Sequence, residues 1–171
     1  MNSAASLAPN SAPNELTRSS RALPWGRLGI LYARLALGAA FLSGIADRFG
    51  LYTGRNVGYG NFQGFIRYTA EVNSFMPSST IPFLAWAATA AEFSLGVLLI
   101  LGVWPRVVGL ASAVLLVLFG TAMAISFGIK SPLDYSVFSA SAAAVMYALY
   151  SPQRGAPNSS ARLSQNSSST L

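Results

Sequence analysis

Two charges stand where an apolar side chain would be expected, and their chemistry frames the rest of the chain. Glu92 sits near the middle of IPFLAWAATAAEFSLGVLLILGV, residues 81–103, and Arg34 interrupts an earlier apolar segment, LGILYARLALGAAFLSGIAD. A carboxylate at mid-bilayer costs roughly 2.5 to 3.5 kcal/mol on insertion scales, and helices that keep one turn it toward a partner or a cavity. Arg34 lies about 9 Å from the start of its segment, and Glu92 about 14 Å from the same face if the second segment runs back antiparallel. A guanidinium arm bridges that offset, so the spacing predicts an Arg34 to Glu92 ion pair inside a helical bundle. The alternative is that Arg34 snorkels to the nearer interface. In the paired arrangement Glu92 would handle protons, Arg34 would hold or polarise a carbonyl oxygen, and Asp47 with Arg48 would form an outer polar gate.

The elements that must position these residues are set by composition. The chain has 171 residues, 53% hydrophobic and 9% charged, with a mean hydropathy of +0.47. A soluble core of this size needs far more charge on its surface, so one polytopic membrane domain is expected. Cys and His are both absent. That excludes disulfides, thiol redox chemistry and imidazole-ligated metals, and no metal site is expected. Any electron transfer must use a borrowed cofactor. The net charge of +6 is scattered between apolar segments rather than gathered in a run, which reads as membrane topology and not as nucleic-acid binding.

The spacing predicts an all-α integral membrane four-helix bundle with spans at about 28–48, 81–103, 106–128 and 132–150. A short amphipathic helix, about 62–76, falls between the first and second spans. Asn61 is its expected cap and Pro77 its stop. Residues 1–24 and 152–171 are rich in Ser, Asn, Ala and Pro and read as disordered tails around a domain at 25–151. No cleavable leader is expected, because the first apolar segment is long enough to span and ends in GIADRFG. Small residues at four-residue spacing, Ala36, Ala40 and Gly44, then Gly120, Ala124 and Gly128, predict close helix contacts. Ser78, Ser79 and Thr80 are expected to cap the second span. Ser131, Pro132 and Asp134 read as a capped start of the fourth, which makes Asp134 a cap rather than an acid catalyst.

Four spans place both termini on one side of the membrane. That side would hold Arg18, Arg21, Arg27, Arg106, Arg154 and Arg162, and the other Arg48, Arg55, Arg67 and Lys130. The excess favours cytoplasmic termini. Trp25, Trp104 and Tyr150 on one face, and Tyr52 and Tyr135 on the other, are expected interfacial anchors.

Taken together, RLALGAAFLSGIADRFG and AAEFSLGVLLILGVWPR resemble the DoxX family of small four-helix bacterial membrane proteins. The resemblance covers roughly residues 28–150 and maps the family's loose pattern onto Arg34, Gly44, Arg48, Glu92, Gly96, Gly102 and Arg106. Arg48 stands where Lys is common, which preserves the charge without requiring the same proton chemistry. The resemblance implies a bacterial cytoplasmic (inner) membrane protein. Some relatives are membrane subunits of thiosulfate:quinone oxidoreductase, others join soluble partners in oxidative or sulfur stress, and most have no assigned activity. Any thiosulfate chemistry here cannot be cysteine-based.

Three readings follow. The first is a membrane subunit of an oxidoreductase that binds quinone at Arg34, Glu92, Asp47 and Arg48, with Glu92 and Arg34 as the catalytic pair. The second is a small-solute transporter gated by that pair. The third is a non-catalytic anchor or assembly partner, in which the charges specify packing alone. The partners implied are the lipid bilayer, soluble or membrane oxidoreductase subunits, and further copies of the chain.

Overall fold

The computed structural model describes residues 24–54 and 57–151. The tails expected to be disordered, residues 1–24 and 152–171, fall outside the described residues apart from Pro24. Six helices follow in chain order: α1 (Pro24–Arg48), α2 (Phe62–Val72), α3 (Ile81–Leu101), α4 (Pro105–Phe127), α5 (Lys130–Asp134) and α6 (Val137–Tyr150). Among the described residues there is no strand, so the all-α expectation holds. α1, α3 and α4 are each long and apolar enough to cross a membrane, and α6 is a shorter apolar helix.

The four long elements close into a bundle. α4 packs most extensively on α6 and α1 on α3, with α3 against α4 and α1 against α6 completing the ring. Its centre is Leu37, Phe41, Leu99, Val108, Ala113, Ala144 and Tyr147. Outside lies an apolar coat that includes Leu28, Phe83, Phe93, Val107, Val114, Leu118, Ile125 and Leu149, all exposed. Water would not tolerate that much contiguous apolar surface, whereas acyl chains match it.

Which residues face inward follows from the spacing of the buried positions. In α3 these are Ala85, Thr89, Glu92, Gly96 and Leu99, alternating steps of four and three along one stripe. The matching stripe of α1 runs through Leu37, Phe41, Gly44 and Arg48. Ala36 and Ala40, expected on the helix contact, are instead exposed to the lipid side. The close approach uses Gly38 and Gly96. A Cβ on Gly38 would lie 2.8 Å from Ile100 Cδ1, and one on Gly96 3.0 Å from Leu42 Cγ. In α4 the same role falls to Gly109 against Ala148 and to Gly120 against Phe138. Gly128 only ends the helix, at φ 84°.

Three local expectations are corrected. Thr80 caps α3 without a side-chain bond to it, because its hydroxyl donates to the Pro77 carbonyl in a preceding 3-10 turn (2.7 Å). The fourth span is broken: α5 ends at Asp134, and Ser136 takes a left-handed φ of 55° before α6 begins. Asp134 therefore sits at the end of a short helix rather than capping a long one, paired with Lys130 at the surface. The amphipathic helix is present but stops at Val72, where the Asn73 side chain donates to the Thr69 carbonyl (2.9 Å). Asn61 does cap it, accepting from the Gly64 amide at 2.9 Å.

Candidate functional site

α1 and α3 are antiparallel, and their register decides what Glu92 meets. Gly38 lies against Gly96 and Ile100, Gly44 against Glu92, and Arg34 against Gly102. Continuing that register brings Arg48, the last residue of α1, to the turn of α3 that holds Thr89 and Glu92. Arg48 Nη2 donates to both oxygens of Glu92, at 2.7 and 2.8 Å, and Nη1 donates to Thr89 Oγ1 at 3.0 Å. The two charged side chains are 4% and 6% exposed. Two nitrogens of one planar guanidinium thus serve two partners, Nη2 the carboxylate and Nη1 the hydroxyl.

The ion pair predicted from sequence thus exists with a different arginine. Arg34 does not reach Glu92, since the register puts it about 15 Å further along the axis, beside the end of α3. The physical reason is that the two helices are not flush. α1 begins at Pro24, about ten residues beyond the point where α3 ends against it, so distances counted from a common membrane face misalign them. Arg34 lies instead beside the end of α3 and the start of α4, half-buried. Glu92 sits about 17 Å from the start of α3, deep between its ends.

The remaining site residues come from the connection between α1 and α2. Asp47 and Arg48 do lie together, but they do separate work. Asp47 Oδ2 accepts from the Gly58 and Tyr59 amides, at 3.0 and 2.9 Å, and pins that strand of loop over the end of α1. Gly58 has to be small here, since a Cβ would lie 2.8 Å from the same oxygen. Fastened this way, Tyr59 leans on Phe65 of α2, their rings 5.0 Å apart, and Phe65 lies with its ring centroid 3.6 Å from Arg48 Cζ. Phe65 packs against Phe62 at 6.0 Å, and Phe62 against Trp86 at 4.2 Å and Phe49 at 5.9 Å. Trp86 and Phe49 are both exposed. A continuous run of rings therefore leads from the lipid-facing surface to the ion pair.

Tyr59 ionises only with difficulty. Burial pushes its hydroxyl up to about 12, aided by Tyr68 and by the Glu92 and Asp47 carboxylates, while Arg48 pulls the other way. Two polar atoms at the site keep unused capacity: Asp47 Oδ1 and Arg48 Nε are buried and have no hydrogen-bond partner among the described residues. Among the described residues no three of Asp, Glu, Cys and His gather as a metal site would require.

Thr89, Tyr59 and Phe65 were not singled out from sequence. Thr89 carries a usable signal, standing three residues before Glu92 on the same helical stripe. Phe65 carries one too, standing on the apolar face of the expected amphipathic helix, whereas Tyr59 does not, because a Gly-rich loop gives no periodicity from which to place it.

The DoxX family model matches residues 29–130, a span that takes in most of α1, all of α2 to α4 and both partners of the ion pair. The chain belongs to the DoxX family. No curated protein and no solved structure matches the chain. As a DoxX protein with several apolar helices, it is an integral, multi-pass membrane protein.

Proposed function

We propose that this DoxX protein is the quinone-binding membrane subunit of an oxidoreductase system in the bacterial cytoplasmic membrane, with both termini cytoplasmic. The observation that carries the reading is the run Trp86, Phe62, Phe65 ending on the Arg48–Glu92 pair. A flat, lipid-borne aromatic headgroup finds stacking partners along it and an ionisable pair at its end. Arg48 Nε, buried and unpartnered, can donate to a quinone carbonyl oxygen, and Asp47 Oδ1, likewise unpartnered, can accept from a quinol hydroxyl.

A bound quinone takes up two electrons and two protons on becoming quinol. The chain has no Cys or His on which to build a redox centre of its own, so the electrons come from a partner subunit. Glu92 is the proton-exchanging group, Arg48 the positive charge that holds a reduced oxygen, and Thr89 keeps Arg48 in place when Glu92 is neutral. Arg34 has no part in this site.

The test is direct. Quinone should copurify from membranes under mild detergent, and a short-chain quinone should raise the melting temperature of the protein. Phe62→Ala should weaken that shift, and Glu92→Gln should remove its pH dependence. Absence of both copurified quinone and thermal shift sinks the proposal.

A second reading is favoured by the completeness of the pair itself. Two oxygens, one nitrogen donating to both and a threonine accepting from the other make an arrangement that can fix helix register without chemistry. In that case the chain is an assembly partner or anchor.

A further inference from the structure

The opposite end of the bundle carries a second, unrelated cluster. A cavity of about 600 Å³ opens there, lined by Arg27 and Arg34 of α1, Trp104 and Arg106 at the start of α4, Tyr147 of α6, and Ser151. Three guanidinium groups converge on it and no carboxylate answers them. The acids among the described residues, Asp47, Glu71, Glu92 and Asp134, all belong to other parts of the fold, and none lines the cavity. Arg34 Nε is buried and lacks a partner among the described residues. Ser151 is 8% exposed, and its hydroxyl likewise has no partner there. α4 also begins at this cavity, so the positive end of its backbone dipole adds to the field.

We propose that this cavity is a binding site for a phosphate-bearing anion. Arg27, Arg34 and Arg106 supply charge and paired N–H donors, and Ser151 and Tyr147 supply hydroxyl donors, a set matched to a tetrahedral anion with several acceptor oxygens. The cavity's rim is apolar and exposed, at Leu31, Trp104 and Val107, and the indole of Trp104 marks the depth of lipid headgroups. Two sources share this chemistry, an anionic phospholipid and free phosphate. The site is independent of the ion pair, being about 21 Å from it along α1.

The experiment uses the full chain purified in mild detergent. Phosphatidylglycerol, phosphatidylcholine and inorganic phosphate are each titrated, with binding read by native mass spectrometry and by the shift in melting temperature. Phosphatidylglycerol should bind at least tenfold more tightly than phosphatidylcholine, and Arg34→Gln should remove that preference. Arg27→Gln and Arg106→Gln alter exposed side chains outside the packed core, and each should weaken phosphatidylglycerol several-fold even if Arg34→Gln fails to fold. Glu92→Gln should leave binding unchanged. Saturation by inorganic phosphate that also displaces the lipid assigns the site to free phosphate, whereas lipid binding unaffected by phosphate assigns it to phospholipid. Equal affinity for the two lipids with no phosphate binding, or wild-type affinity in the arginine variants, overturns the proposal.

Discussion

The Arg48 guanidinium is held on one side by Glu92, at 2.7 and 2.8 Å, and on its face by the Phe65 ring, whose centroid is 3.6 Å from Cζ. The first contact comes from the spanning part of the bundle and the second from the amphipathic helix. One side chain therefore fastens α2 to α1 and α3.

Removing one charge should be far worse than removing both. Arg48→Met leaves a buried carboxylate without its partner and should destabilise the protein by about 3–5 kcal/mol. Arg48→Met combined with Glu92→Leu should recover most of that loss. Reversible unfolding by steric trapping in bicelles measures both. A double variant that folds yet no longer responds to quinone supports the redox reading, while one that folds and keeps every cellular function supports the anchor.

Thr89→Val keeps the volume and removes the hydroxyl that accepts from Arg48 Nη1. The cost should be about 1–3 kcal/mol, since it leaves a buried donor unsatisfied. Thr89→Ser should fall close to wild type in the same unfolding assay.

Tyr59 should titrate late. With its hydroxyl pushed up to about 12 in the folded state against about 10 in the unfolded chain, the folded form holds its proton where the unfolded form loses it. Its contribution to stability is thus intact below about pH 10 and is lost as pH climbs through 10 toward 12. Absorbance at the tyrosinate band, compared between wild type and Tyr59→Phe, should show one tyrosine titrating in that upper window. Earlier ionisation of that residue would mean that the loop does not close over the ion pair.

Asp47→Ala should free the loop without unpairing Arg48. Its Oδ2 is what holds the Gly58 and Tyr59 amides, so their hydrogen exchange should speed up markedly while amides of α3 stay protected.

Gly109→Ala should destabilise by about 1–3 kcal/mol, because the new methyl would lie 2.8 Å from Ala148 Cβ and 2.9 Å from the Ala144 carbonyl. Gly26→Ala, where nothing lies within 4 Å, is the control that should leave the unfolding midpoint unchanged.

Much of the bundle could be read from the chain. The apolar lengths of α1, α3 and α4, the cap at Asn61 and an intramembrane glutamate with an arginine partner all follow from residue type and spacing. The choice of arginine did not. Arg34 and Arg48 lie on one α1 stripe with Leu37, Phe41 and Gly44, so the helical period admits either. Only the axial offset between α1 and α3 separates them. That offset is fixed by how the two helices interlock at Gly38, Gly96 and Ile100, a tertiary fact with no local signature. The small-residue spacing misled for a related reason. Ala36 and Ala40 resemble a packing face, whereas Gly38, two residues from each and so on the opposite side of the helix, is the residue whose missing Cβ the contact needs.

The break at Ser136 has a consequence for the surrounding membrane. α6 holds 14 residues, about 21 Å of rise, against a hydrocarbon thickness of roughly 30 Å. On that flank the acyl chains must shorten to meet the helix, or a neighbouring subunit must shield the deficit. The exposed Ile129, Leu133 and Tyr135 around α5 lie next to that gap, so the kink at Ser136 hands part of the lipid contact on this flank to a five-residue helix instead of a straight span.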